Sequence, residues 1–304
     1  MKISFIGSGK VGATIAYTAA LKGLAQEIVM VDAFSDKARG EALDILQCQA
    51  FAPQARIRQG EINDTVNSDI VVISAGTPRR ADEARVLLLA RNARLVADIV
   101  KEVVIVSPNC ILLMITNPLD VMTQLAYDIS GLPAGRVIGM GTVLDTARYR
   151  SVLAERFNVD ARDIDAYVVG EHGETMVTLT SGIHVKGIPL SSFSQYSPAV
   201  MKGICDEVQA ASGQVISLKG GTVFAPAVSA CTILAAIIGN SRQVLPVCSY
   251  NDKHGVAMSL PSVVGRAGIE SILDIPMTGE EHIAVDKSIV NIKSYTEQLA
   301  GFLE

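Results

Sequence analysis

Tryptophan is absent from this 304-residue chain and aromatic residues make up 5% of it. That scarcity argues against a single-stranded nucleic-acid surface, which needs aromatic platforms for base stacking. Cationic excess is missing too. Lys and Arg total 26 against 31 Asp and Glu, a net charge of −5, so neither a basic footprint for nucleic acid nor a polybasic membrane patch is encoded. Five cysteines occur, at 48, 110, 205, 231 and 248, an odd number with no C-x-x-C pair. They suit free thiols packed as small apolar residues in a reducing cytoplasm, and no clustered set resembles a zinc site. Long apolar runs are lacking: the stretch Cys231–Ile238 falls well short of the ~20 residues that a membrane span requires. The first twenty residues have a leader-like profile, but Gly7, Gly9 and Gly12 interrupt it, and a strand followed by a glycine turn describes them better.

What is present is alternation. Apolar runs of strand type at Lys2–Ile6, Glu27–Val31, Ala55–Arg58, Asp69–Ser74, Cys110–Ile115 and Val137-Ile138 are separated by helical patterns at Val11–Lys22, Asp36–Ala50, Ala84–Val106 and a segment ending near Ser130. Strands alternating with helices predict a Rossmann-type doubly wound parallel sheet, hence an α/β fold, over residues 1–139. From residue 140 to 304 the rhythm changes. Helices are expected at Leu144–Asn158, Ala199–Leu218, Ala225–Ile238 and from about Thr278. Short strands are expected at Tyr167–Val169, Met176–Thr180, Arg242–Tyr250 and Val256–Val264, which predicts an α+β substrate domain. Glu280 and Glu281 fall in the first turn of the last helix, where its dipole favours acids. No Pro-, Gly- or Ser-rich linker divides the halves, and neither an internal repeat nor a low-complexity segment is evident.

The first strand runs directly into Gly7-Ser8-Gly9-Lys10-Val11-Gly12. In such a G-x-G-x-x-G turn the first glycine allows the tight bend, the second lets a pyrophosphate approach the backbone, and the third lets helix pack on strand. The motif alone is weak. It gains weight from Asp32, at the end of the next strand, where a carboxylate can accept from an adenosine ribose and repel a 2′-phosphate. Ala33 and Phe34 follow, with no arginine to neutralise that phosphate, so NAD is expected rather than NADP. The bland alternative for Asp32 is a turn or helix cap.

Of the four histidines only His172, in Gly170-Glu171-His172-Gly173, is bracketed by glycines after a strand end. A lone histidine is more often structural than catalytic, so its neighbours matter. Asp145 and Arg148 stand three apart on an expected helix and share a face, which for an unremarkable pair means a surface ion pair. Arg85 follows the polar segment Thr77–Ala84 and, taken alone, reads as a solvated helix-start arginine.

Seven segments in order and spacing carry a resemblance: Gly7–Gly12, Asp32, Ala75–Arg80 through Arg85, Thr116-Asn117-Pro118, Leu144–Arg148, Gly170–Gly173 and Lys219-Gly220-Gly221-Thr222. Together they resemble the malate/lactate dehydrogenase family over the whole chain, in particular its lactate-dehydrogenase-like malate branch. The resemblance implies that His172 gives and takes the proton, with Asp145 holding its far ring nitrogen. It implies that Arg148 grips the substrate C1 carboxylate, Arg85 polarises the ketone, Asn117 lies near the same oxygen and the nicotinamide, and Thr222 lines the pocket. The bond Asn117–Pro118 is expected to be cis. Gly7, Gly9, Lys10, Val11, Gly12, Asp32, Asn92 and Asn117 are assigned to the cofactor, no metal is assigned, and Thr77–Ala84 is assigned as a lid. The family's malate members usually carry Pro-Gly where this chain has Ala81-Asp82, which puts lid closure in doubt. Arg79, in the slot facing the substrate's variable group, implies a second carboxylate and therefore malate and oxaloacetate. L-lactate dehydrogenase is the alternative, with an NAD- and metal-dependent glycosidase or a non-catalytic NAD-binding protein more remote. A homotetramer, or next a dimer, is implied as the assembly.

Overall fold

The computed structural model describes residues 1–77 and 85–303, without the side chains of 85–88 and 300–303. Six parallel strands come first: β1 (Lys2–Ile6), β2 (Glu27–Val31), β3 (Arg56–Gln59), β4 (Ile70–Ile73), β5 (Ile111–Met114) and β6 (Val137–Gly139). Between and after them run α1 (Lys10–Leu21), α2 (Ser35–Gln47), α3 (Arg85–Val106), α4 (Leu119–Ser130) and α5 (Val143–Phe157). Short strands β7 (Ile164–Asp165), β8 (Val168–Val169), β9 (Val177–Thr178), β10 (His184–Val185) and β11 (Ile188–Pro189) follow. The chain ends with α6 (Pro198–Lys219), α7 (Phe224–Gly239), the meander β12 (Gln243–Asn251), β13 (Val256–Gly265) and β14 (Gly268–Ile272), and α8 (Gly279–Leu303).

The main sheet has nine strands in the order β14-β13-β12-β6-β5-β4-β1-β2-β3. Its parallel part, 3-2-1-4-5-6, is the dinucleotide-binding order, and the order reverses beside β1. In β4 and β5 every residue is buried, as helices on both faces demand. Each such isoleucine or leucine contributes roughly 1.5–3 kcal/mol on leaving water. The sheet does not stop at β6. Cys248 of β12 pairs antiparallel with Gly139, so the later meander extends the same sheet. The strand β14 was not legible in advance; it forms because Gly268, at φ +100°, turns the chain back so that Gly268 pairs with Gly265.

Helix ends follow local chemistry. Ser197 caps α6 by accepting from the Val200 N–H, with Pro198 in the first turn, and Gly220 closes it in the left-handed region. Glu281 does more than complement a dipole. It exchanges hydrogen bonds with Thr278 at the start of α8, and its carboxylate also accepts from the Thr180 and Ser181 N–H groups, fastening α8 to the segment after β9. Helix α7 buries Ala227, Ala230, Leu234 and Ile237, and the Cys231 Sγ–H reaches the Ile15 carbonyl on α1. The second half of the chain thus lies on the helix that begins at the glycine turn. Among the described residues no helix is long and apolar enough to cross a membrane.

Candidate active site

The loops that matter leave the carboxyl ends of β1, β2, β4, β5 and β6, the edge where open α/β sheets bind ligands. At β1, Gly7 has φ +100°, its N–H donates to the Val31 carbonyl and its own carbonyl accepts from Ser74 Oγ. A Cβ on Gly12 would stand 1.9 Å from that Gly7 carbonyl, so only glycine lets α1 start so close to the turn. A Cβ on Gly9 would meet nothing within 4 Å. Gly9 opens α1 with no side-chain cap and no acid in the first turn, so the leading N–H groups at Lys10, Val11 and Gly12 face an anion-ready helix start. Asp32 braces this turn: Oδ2 accepts from Ser8 N–H at 2.7 Å and Oδ1 from Phe34 N–H at 3.0 Å. Two of its lone-pair sites are thereby used, and the others remain for a ribose. The cap role and the ribose role are compatible, and the residues present fit an NAD.

Asn92, on α3, is buried. Its Oδ1 accepts from both the N–H and the Oγ1 of Thr77, and its Nδ2 donates to the Asn117 carbonyl at 3.2 Å. It ties the root of the Thr77 segment to the turn after β5. The Asn117–Pro118 bond is cis, and Asn117 itself is exposed at the head of α4.

The candidate proton-transfer group is built by α5 and the turn after β8. Asp145 and Arg148 share a helix face as the spacing predicts, and the side-chain exposures are 3% and 13%. Asp145 Oδ2 lies 2.6 Å from His172 Nδ1, and Oδ1 accepts from Arg148 Nη1 at 2.9 Å. One carboxylate therefore aligns both. Arg148 Nη2 also reaches Thr222 Oγ1 at 3.5 Å, which brings the segment after α6 into the same pocket. With Nδ1 held by Asp145, Nε2 is the ring atom left to exchange a proton. Burial disfavours a charged imidazole, but the charge and hydrogen bond of Asp145, with help from Asp120, outweigh it and hold His172 above its ordinary value. Asp145 itself stays below the usual carboxylate range despite burial, because His172 and Arg148 flank it.

Two carboxylates that the sequence reading passed over fasten the His172 turn. Asp120, in the first turn of α4, accepts from the His172 N–H through Oδ2 at 2.8 Å. Glu171 accepts from Thr175 and from Asn291 Nδ2, and its N–H donates to Ser288 Oγ on α8. Asp120 was the more findable, three residues beyond Asn117, but an acid in a first turn is equally explained by the helix dipole. The segment 78–84, with Arg79, lies outside the described residues; Arg85 opens α3, but its side chain is not described. Cys110 precedes β5, at the end of the strand opposite Asn117, and is buried, which pushes its thiol up to about 11.

Comparison with known proteins identifies the family. Residues 1–139 match the model for the lactate/malate dehydrogenase NAD-binding domain, and residues 142–303 the model for the family's alpha/beta C-terminal domain. The L-lactate dehydrogenase of Thermoanaerobacter pseudethanolicus is 41% identical, with 98% of this chain and 99% of that protein covered. That of Clostridium perfringens is 38% identical, covering 97% and 96%. Among solved structures, a lactate dehydrogenase enzyme from a Medee basin deep-sea metagenome library superposes with a TM-score of 0.96 at 31% identity over 98% of each chain. The minor L-lactate dehydrogenase from Enterococcus mundtii gives 0.95 at 32% identity, again over 98% of each. These names overturn the expectation of malate as substrate. That expectation hung on a single guanidinium, Arg79, whose facing toward the substrate came from resemblance and from no contact.

Proposed function

The chain belongs to the lactate/malate dehydrogenase family and is an NAD-dependent 2-hydroxyacid dehydrogenase; from that premise we propose that its substrate pair is L-lactate and pyruvate. The observation that carries the chemistry is the Asp145 carboxylate shared between His172 Nδ1 and Arg148 Nη1. Support for the substrate comes from the relatives, which are named L-lactate dehydrogenases along nearly their full length.

NAD, when bound, would supply or accept the hydride. Everything else falls to the chain. Gly7, Gly9, Lys10, Val11 and Gly12 would hold the pyrophosphate, Asp32 the ribose, and Asn117 the neighbourhood of the reacting oxygen, with Asn92 bracing that turn. Arg148 has donors beyond those given to Asp145 and Thr222, and these can pair with the substrate carboxylate in a planar fork. In pyruvate reduction His172 donates its Nε2 proton to the ketone oxygen; in lactate oxidation the same nitrogen takes the proton from the hydroxyl. Asp145 stabilises the imidazolium in one direction and fixes the tautomer in both. Arg85 and Thr222 are assigned to the substrate side of the pocket.

The proposed setting is the cytoplasm, which suits five cysteines that all remain free thiols. The proposed assembly is a homotetramer, with a dimer next. Phe51, Leu218 and Phe224 are each at least 70% exposed, apolar surface that a second copy would cover. The test of the substrate is kcat/KM with NADH for pyruvate beside oxaloacetate. Pyruvate should exceed oxaloacetate by at least about tenfold, the equivalent of 1.4 kcal/mol. A higher value for oxaloacetate overturns the lactate assignment.

A further inference from the structure

His172 meets two carboxylates, and only one of them touches its ring. The other, Asp120, sits in the first turn of α4 immediately after the Asn117–Pro118 turn and is 3% exposed. Its Oδ2 holds the His172 backbone N–H at 2.8 Å, while its Oδ1 is buried without a hydrogen-bond partner among the described residues. Cys248, on β12, lies against the same carboxyl. The fit there depends on Gly139, where a Cβ would meet Thr123 Oγ1 at 2.5 Å and Cys248 Cβ at 3.0 Å. A backbone N–H can be held as well by a neutral carbonyl or amide. Burying a whole carboxylate for that bond, with one oxygen unsatisfied, is an unfavourable choice unless its charge is used.

We propose that Asp120 is a positioning residue for His172, holding the backbone of the proton-transfer histidine and lending a second buried negative charge that favours the protonated ring. This rests on the reading of His172 as the acid in pyruvate reduction. Among the described residues, the charged and titratable groups around the ring are Asp145 and Arg148 from α5, Asp120 from α4, Glu171 on its own turn, and Cys248 from β12 behind Asp120. Asp145 exerts the larger pull on the ring, and Asp120 adds to it through charge alone, without a bond to the ring, while Arg148 opposes both only weakly. Burial raises Asp120 to about 6, so it is ionised at neutral pH and loses its charge in mild acid.

The decisive variant is Asp120→Asn, which keeps an oxygen for the His172 N–H and removes the charge. At saturating NADH, the alkaline fall of kcat/KM for pyruvate should move ~0.5 pH unit or more toward acid, since a nearby opposite charge shifts a titration by that order or more. At pH 8 this reads as about threefold slower reduction than wild type, by the same shift on a logarithmic scale. At pH 5, where wild-type Asp120 is itself largely protonated, the profiles should converge. The His172 ring, titrated by NMR in the NADH complex, should move with the kinetics. Asp120→Ser, which also removes the charge with a smaller side chain, should shift both readouts the same way, and serves if Asp120→Asn does not fold. A uniform loss of kcat at every pH with an unmoved ring titration makes Asp120 merely structural and overturns the proposal. If wild type fails on pyruvate while the ring titration still shifts, the substrate reading fails and the role of Asp120 stands.

Discussion

Replacing His172 by Asn removes the ring whose Nδ1 is held in register by Asp145 and whose Nε2 is left to exchange a proton. Turnover should fall by roughly 10²–10⁴-fold from loss of the acid alone. NADH binding, measured by fluorescence titration, should persist, because the glycine turn is built by β1, β2 and Ser74 without this histidine. The sign of the pH dependence follows from the raised His172 value. On the proposed function pyruvate reduction uses the protonated ring, so it should hold through the ordinary imidazole range and decline as pH rises through the raised value. Lactate oxidation uses the neutral ring and declines as pH falls through the same value. Profiles of kcat/KM in the two directions should therefore cross. An Asn variant with near-normal turnover, or parallel profiles, removes His172 from this role.

At the scale of the element, the site depends on how closely α1 begins behind β1. Gly12→Ala would set a methyl 1.9 Å from the Gly7 carbonyl and 2.4 Å from Ser74 Oγ, neither of which can withdraw without opening the turn. Overpacking of this kind costs typically 1–3 kcal/mol. The expected outcome is a lower melting temperature together with weaker NADH binding. Gly9→Ala, whose added Cβ meets nothing within 4 Å, should leave the melting temperature almost unchanged and still weaken NADH binding. Calorimetry beside fluorescence titration separates the two. Equal melting losses in both variants would contradict the assignment of Gly9 to the pyrophosphate and Gly12 to packing.

At the scale of the whole molecule, the exposed aromatics ask for a partner copy. Phe51 is 96% exposed at the end of the turn that follows α2, and Phe224 opens α7 beside the Thr222 segment. Sedimentation velocity at micromolar concentration should give a tetramer, or failing that a dimer. A monomer at those concentrations removes the homo-oligomer from the reading. Phe51→Ser, far from His172 in the chain and from the cofactor turn, should weaken the assembly while leaving the isolated fold stable, since an exposed side chain makes few contacts of its own.

What the sequence by itself determined is whatever short-range physics controls. The strand–glycine–helix start, the acid at the end of β2 and the Asp145–Arg148 face are legible because three- or four-residue spacing and period-two burial are local properties. The pairing of His172 with Asp145, 27 positions apart, was reached only through resemblance. The substrate was misread because a charge type at Arg79 carries no information about the direction it faces. Tertiary structure alone decided the rest. Asp120 looks like a dipole complement until the turn at His172 arrives 52 residues later and lays its N–H on the carboxylate. Glu171 finds Ser288 and Asn291 across more than a hundred positions, and Cys248 joins β6 through one bridge to Gly139. Contacts of that range depend on which apolar faces bury together, and the same sequence pattern would serve several such packings; the fold chooses one, and with it the surroundings of the histidine.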